Sequence, residues 1–208
     1  MTIDEYIESH IDSEGEYLHQ LYRATQIHLL YGRMASGHTQ GRLLKMFVEM
    51  IKPKNILEVG TYSGYSALCM AEGLQDGGKI HTIEIFDELE DFTRPWLENS
   101  PWADKIEFHI GDAMEIIPKL GIKFDMAFID GNKRTYLECY ELVLAHMNEG
   151  GYILADNTLW DNHVLETPPV SDPQTRGIME FNDFVAKDER VEKVILPIRD
   201  GLTIIRKK

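Results

Sequence analysis

From Asn55 onward, short apolar runs alternate with amphipathic stretches, and this alternation constrains the fold more than any other feature of the chain. Asn55 to Val59, Lys79 to Ile85, Lys105 to Ile110, Phe124 to Ile129 and Gly151 to Ala155 read as five strands, rich in Ile, Val and Phe. Tyr65 to Glu72, Glu88 to Glu98, Ala113 to Leu120 and Tyr136 to Met147 read as the helices between them. Strand–helix alternation of this kind predicts a parallel sheet covered by helices on both faces. Val191 to Pro197 and Leu202 to Arg206 break the rule, because the link that holds Asp200 and Gly201 is too short for a crossover helix. These two strands are predicted to form an antiparallel hairpin, so one reversed strand closes an otherwise parallel α/β sheet.

Before this region, Tyr17 to Tyr31 and Gly41 to Ile51 read as helices, joined by a polar loop from Arg33 to His38. A length of 208 residues suits a single domain, residues 1–208, with a helical N-terminal segment over 1–50 and the α/β core over 51–208. The segment from Asn157 to Thr175 is rich in Pro and Asp and is predicted to be a loop beside the active site. The two cysteines, Cys69 and Cys139, fall in predicted helices and suit a reducing, cytoplasmic setting. No signal peptide and no apolar run of membrane length is evident. With 21 basic and 35 acidic residues the net charge is −14, which opposes broad binding to nucleic acid.

Three features fall at successive strand ends, where α/β folds bind ligands. Gly60-Thr61-Tyr62-Ser63-Gly64 ends the first strand and lets the backbone turn tightly against a ligand. Glu84 ends the second, where a carboxylate accepts ribose hydroxyls. Gly111-Asp112-Ala113 follows the third, at the height of an adenine ring. Turn glycines and solvated carboxylates explain any one of these alone, but three in series point to a nucleoside ligand. The spacing lacks the G-x-G-x-x-G of a dinucleotide site and the Lys-Ser or Lys-Thr of a P-loop, which favours S-adenosylmethionine over NAD.

Asp130 ends the fourth strand, and Asp156 and Asn157 end the fifth. Neighbouring strands lie about 4.8 Å apart, so these side chains are placed to converge. Two carboxylates and an amide form a hard, all-oxygen donor set that suits Mg²⁺, Mn²⁺ or Ca²⁺. Lys133, beside such a cation, is a candidate general base. A helix cap and a surface lysine are the bland alternatives. Trp160 is a candidate wall of the substrate pocket or a packing residue, and Asp161 follows it. The eight histidines show no metal-ligand spacing, and His163 alone stands near the predicted site.

The segments Leu57 to Leu68, His81 to Ile85, Ile106 to Ala113, Phe124 to Lys133, Gly150 to Trp160 and Val194 to Lys207 together resemble the caffeoyl-CoA O-methyltransferase family, and more distantly catechol O-methyltransferase. The resemblance implies a Rossmann-like methyltransferase fold with a seven-stranded sheet, a homodimer, and S-adenosylmethionine as cofactor. By the same match, cofactor contacts fall on Ser36, Glu58, Gly60, Thr61, Ser66, Glu84, Asp112 and Ala113. The metal ligands are Asp130, Asp156 and Asn157, and Lys133 matches the lysine proposed as base. Asp130 and Lys133 are then the catalytic pair, with Trp160 and Asp161 toward the substrate. Where the family usually reads Ile-Asp-Ala-Asp-Lys, this chain reads Ile129-Asp130-Gly131-Asn132-Lys133, so a second acid is lost. The plant enzymes carry tyrosines that hold an acyl substrate, and Ser171 to Phe181 has none, which counts against a coenzyme A thioester. The expected activity is therefore methylation of one hydroxyl of a small catechol-like molecule, with Mg²⁺ first among the cations. The alternatives are methylation of a hydroxyuridine at the tRNA wobble position, an NAD-dependent oxidoreductase, and a non-catalytic nucleoside-binding module.

Overall fold

In a computed structural model of the protein, the described residues are 1–168 and 170–208. Three helices open the chain: α1 (Ile3–Glu8), α2 (Glu16–His28) and α3 (Gly37–Ile51). There follow β1 (Asn55–Val59), α4 (Tyr65–Gly73), β2 (Lys79–Glu84), α5 (Glu90–Glu98), β3 (Ile106–Ile110), α6 (Ala113–Leu120), β4 (Phe124–Ile129), α7 (Tyr136–His146) and β5 (Met147–Asp156). The chain closes with α8 (Pro173–Lys187), β6 (Val191–Leu196) and β7 (Leu202–Lys207). Among the described residues no helix is long and apolar enough to cross a membrane.

The strands form one seven-stranded sheet in the order β3-β2-β1-β4-β5-β7-β6. β1 to β5 pair in parallel, and β7 runs antiparallel to both β5 and β6. The predicted hairpin is present, with β7 as the one reversed strand. It lies between β5 and β6, although it follows β6 in sequence. The direction of winding changes between β1 and β4, so the crevice above this pair is where an α/β sheet offers room for a ligand.

The period of two along each strand sorts the core into layers. Leu57, Val59, Ala127, Ile129, Ile153 and Ile205 face α7 and α8, through Tyr136, Tyr140, Val143, Ile178 and Phe181. Ile56, Met126, Phe128, Leu154 and Leu202 face the other way, onto Leu44 and Val48 of α3 and Met70 of α4. Strands covered on both sides explain why they read as nearly continuous apolar runs.

The structure departs from the sequence reading in three places. The loop predicted over Asn157 to Thr175 is shorter, because α8 begins at Pro173; Pro169 lies outside the described residues. Asp172 caps this helix by accepting the Thr175 N–H at 2.7 Å, and Pro173 takes the first turn, where its missing N–H leaves nothing unpaired. Strand β5 begins at Met147, four residues before the predicted Gly151, and contains the glycine pair that hid its start. Helix α3 begins at Gly37, so the last two residues of the predicted polar loop, Gly37 and His38, are helical.

Candidate active site

The turn after β1 is held from below by Glu84. Its Oε2 accepts the Thr61 N–H at 3.2 Å and the Tyr62 N–H at 2.8 Å, and its Oε1 accepts the Phe86 N–H at 3.0 Å. A carboxylate has about four acceptor positions, so about one is left for a ribose hydroxyl rather than the two the sequence reading assumes. Gly60 has φ +96°, and a Cβ there would lie 2.5 Å from the Asp130 carbonyl oxygen. The turn therefore rests directly on the tip of β4. Among the described residues three buried side-chain polar atoms lack a partner, and two of them, Tyr62 OH and Ser63 Oγ, belong to this turn.

Glu58 and Ser66 lie beneath the turn. The Ser66 hydroxyl donates to Glu58 Oε1 at 2.6 Å, and the Thr82 hydroxyl donates to Oε2. Thr61 Oγ1 meets Thr82 Oγ1 at 2.5 Å and joins the same network. Glu58 is fully buried. Burial, opposed by the two hydroxyls, pushes its carboxyl up to about 8. These surroundings tie β1, β2 and α4 together; they do not direct Glu58 toward the crevice. Asp112 is exposed, and its Oδ1 caps α6 by accepting the Met114 N–H at 2.8 Å, while Ala113 opens that helix. Ser36 is buried at the start of α3.

Asp130 and Asp156 follow residues that pair in neighbouring strands. Ile129 pairs with Ala155 in the sheet, which sets the following residues side by side. The Tyr136 hydroxyl lies 2.7 Å from the carbonyl oxygens of both Ile129 and Asp156 and so clamps the two strand ends. Lys133 donates to Asp130 Oδ1 at 2.7 Å and lies 4.8 Å above the Tyr136 ring. Lys133 is buried, so this ammonium is no surface lysine. Asp156 is also buried, and burial, then the charge of Asp130, holds its carboxyl above the ordinary carboxylate range. Asn157 follows with φ +60°, in the left-handed region. Among the described residues no group of three histidine, cysteine and carboxylate side chains is gathered. The donors here are instead two carboxylates and one amide at adjacent strand tips, a set whose chemistry fits a hard cation.

The rim past Asn157 is a tight loop. Trp160, Asp161 and Asn162 all have positive φ, at 48°, 49° and 67°. Such backbone persists where neighbours impose it. Here the Thr158 N–H donates to Gly201 O at 3.1 Å, the Leu159 N–H to Asp200 O at 2.9 Å, and the Asp161 N–H to the Asp200 carboxylate. Trp160 is half-buried and packs on the core, and Asp161 is exposed. His163 turns outward to Glu166 at 2.5 Å.

Two residues that sequence reasoning missed complete the site. Gln40, from α3, donates to Asp156 Oδ2 at 2.9 Å. Arg199, from the β6–β7 turn, donates to Gln40 Oε1 at 2.8 Å, to the Ser36 carbonyl, and to the Arg33 carbonyl at 3.3 Å. Nothing local marks either residue, since their partners lie far away in the chain.

A family described as O-methyltransferase matches residues 8–208. Tricin synthase 2 of Oryza sativa subsp. japonica is 36% identical over 207 residues, which span 93% of this chain and 70% of that protein. Caffeoyl-CoA O-methyltransferase 1 of Eucalyptus globulus is 32% identical over 206 residues, spanning 93% of this chain and 82% of the relative. Among solved structures, the O-methyltransferase TomG of Streptomyces achromogenes, in complex with SAM, superposes with a TM-score of 0.91 at 26% identity, covering 99% of this chain and 96% of that one. The SAH-bound methyltransferase PaMTH1 of Podospora anserina also reaches 0.91 at 26% identity, covering 99% and 94%.

Proposed function

The chain belongs to the O-methyltransferase family, and on that premise we propose that it moves a methyl group from S-adenosylmethionine to one hydroxyl of a small vicinal dihydroxy aromatic, with the help of a divalent cation. The observation that supports the proposal is the contact between the glycine turn and the tip of β4; on this reading a nucleoside held by the turn lies beside the carboxylates at the ends of β4 and β5.

The residues divide the work. Gly60 and Thr61 shape the cofactor turn, and Glu84 braces it while keeping an acceptor position for the ribose. Asp112 and Ala113 border the base, with Ser36 on the opposite wall. S-adenosylmethionine supplies an activated methyl on a sulfonium. Asp130, Asp156 and Asn157 are the residues that would hold a cation, most simply Mg²⁺. Bound there, a divalent cation supplies Lewis acidity, which lowers the pKa of a phenol from about 10. Lys133 takes the proton of the hydroxyl that reacts. The phenolate oxygen then bonds to the methyl carbon as the carbon–sulfur bond breaks, and the electron pair leaves with sulfur as S-adenosylhomocysteine. Asp130 keeps the Lys133 nitrogen in place, and Tyr136 fixes the spacing of the strand tips. On this reading Trp160 and Asp161 border the aromatic ring of the acceptor. Most of the acceleration on this reading is positioning.

A small acceptor is favoured over tRNA by the net charge of −14. With this activity we propose a cytoplasmic homodimer, as the family resemblance implies, and light scattering on the purified protein checks the assembly. The decisive test is transfer of labelled methyl to catechols, hydroxycinnamates, flavonoids and tRNA, with Mg²⁺ or with excess EDTA. Transfer to a vicinal diphenol that stops in EDTA is expected. Full transfer in EDTA overturns the role of the metal, and transfer to tRNA alone overturns the acceptor.

A further inference from the structure

The carboxylate of Asp156 is buried at the end of β5, where little water reaches it. Its Oδ1 accepts the N–H of its neighbour Asn157 at 2.9 Å, and its Oδ2 accepts Gln40 Nε2 at 2.9 Å. Each oxygen keeps a second lone pair free. Gln40 is itself buried, at 1% exposure, so its amide has one setting rather than many. That setting is dictated from both ends. A guanidinium only donates hydrogen bonds, so Arg199 at 2.8 Å must face Gln40 Oε1. A carboxylate only accepts, so Gln40 must present Nε2 to Asp156. An amide is the side chain that satisfies both demands at once. Arg199 in turn is fixed by two backbone carbonyls, those of Ser36 and Arg33, on the segment that carries Ser36, a proposed cofactor contact.

We infer that Gln40 and Arg199 form a relay of positioning residues, in which Arg199 sets the Gln40 amide and Gln40 holds the Asp156 carboxylate in the orientation that receives the cation. The inference rests on the proposed metal site. Neither residue touches the reacting atoms. Groups that orient a metal ligand in this way commonly change metal affinity by about 10–100-fold when removed. Arg199 has a second attachment that Gln40 lacks, because it also holds the backbone of Ser36, the proposed cofactor contact. The two residues should therefore differ in what they disturb.

The test uses the full chain and Mn²⁺ as probe, with binding read by electron paramagnetic resonance and S-adenosylhomocysteine binding read by calorimetry. Gln40→Met keeps the volume and removes both hydrogen-bonding ends. It is expected to weaken Mn²⁺ binding by about tenfold or more and to leave S-adenosylhomocysteine affinity unchanged. Arg199→Met is expected to weaken both ligands. In the double variant the two losses of Mn²⁺ affinity should not multiply, since Arg199 orients the Asp156 carboxylate through Gln40. Three results overturn the inference: Mn²⁺ bound by Gln40→Met as by the wild type, equal loss of both ligands in that variant, or losses that multiply in the double variant. A wild-type chain that binds no Mn²⁺ overturns the proposed metal site, and the relay with it.

Discussion

Gly60 and Asp130 meet so closely that the glycine α-carbon has no room for a side chain on the side of the Asp130 carbonyl. One residue begins the cofactor turn and the other is a proposed cation ligand, so the two halves of the site share a single backbone contact. Gly60→Ala would place its Cβ 2.5 Å from that carbonyl oxygen, at a φ of +96°. A loss of about 2 kcal/mol or more is expected from the strain and the clash. Urea denaturation measures it, and S-adenosylhomocysteine binding should weaken in parallel. Wild-type stability in this variant would show that the turn has slack.

Asp130→Asn and Asp156→Asn keep the shape of the strand tips and remove one negative charge each. Turnover is expected to fall by more than about 100-fold in either variant. Binding of S-adenosylhomocysteine should stay close to that of the wild type, because the residues that form its turn are untouched. Calorimetry alongside steady-state kinetics separates the two effects.

Lys133→Met removes the proposed base while keeping a long apolar stem. A rate loss of about 10²–10⁴ is expected near neutral pH. The loss should shrink as the pH approaches the value at which a catechol ionises unaided. A profile of kcat against pH checks this, and a near-normal rate at pH 7 removes Lys133 from the role.

Glu58 gives the protein a stability that falls with rising pH. Burial pushes its carboxyl from 4.5 up to about 8, so over this interval the folded chain keeps a proton that the unfolded chain releases. Folding is then weakened by about 1.4 kcal/mol for each unit of pH in the interval. Glu58→Gln carries no such dependence. The melting temperature of this variant relative to the wild type should rise steadily between about pH 5 and pH 8. A constant difference across the range would place the Glu58 carboxyl in its ordinary range.

Much of this architecture is written locally, and the parts that are not are instructive. The central strands are covered on both faces, so they are runs rich in apolar residues that short-range reading detects. Asp130 and Asp156 end such runs, and their placement side by side follows from strand spacing alone. Helix α8 was hidden by the Pro-rich segment before it, although Asp172 and Pro173 are a capping signal that marks its start. The burial of Glu58 could not be read locally, because Ser66 and Thr82 reach it from different elements. Gln40 and Arg199 leave no trace in sequence for the same reason: Gln40 meets Asp156 across 116 residues and Arg199 across 159. A contact of that kind exists only once the fold has closed.

Strand β6 touches the sheet only through β7, and β7 comes after it in the chain. The earlier strand therefore joins the sheet only as the outer half of its hairpin with β7. A lesion at Ile205, in the middle of β7, would set two strands adrift instead of one, and would free the far end of β5 on which Asp156 stands.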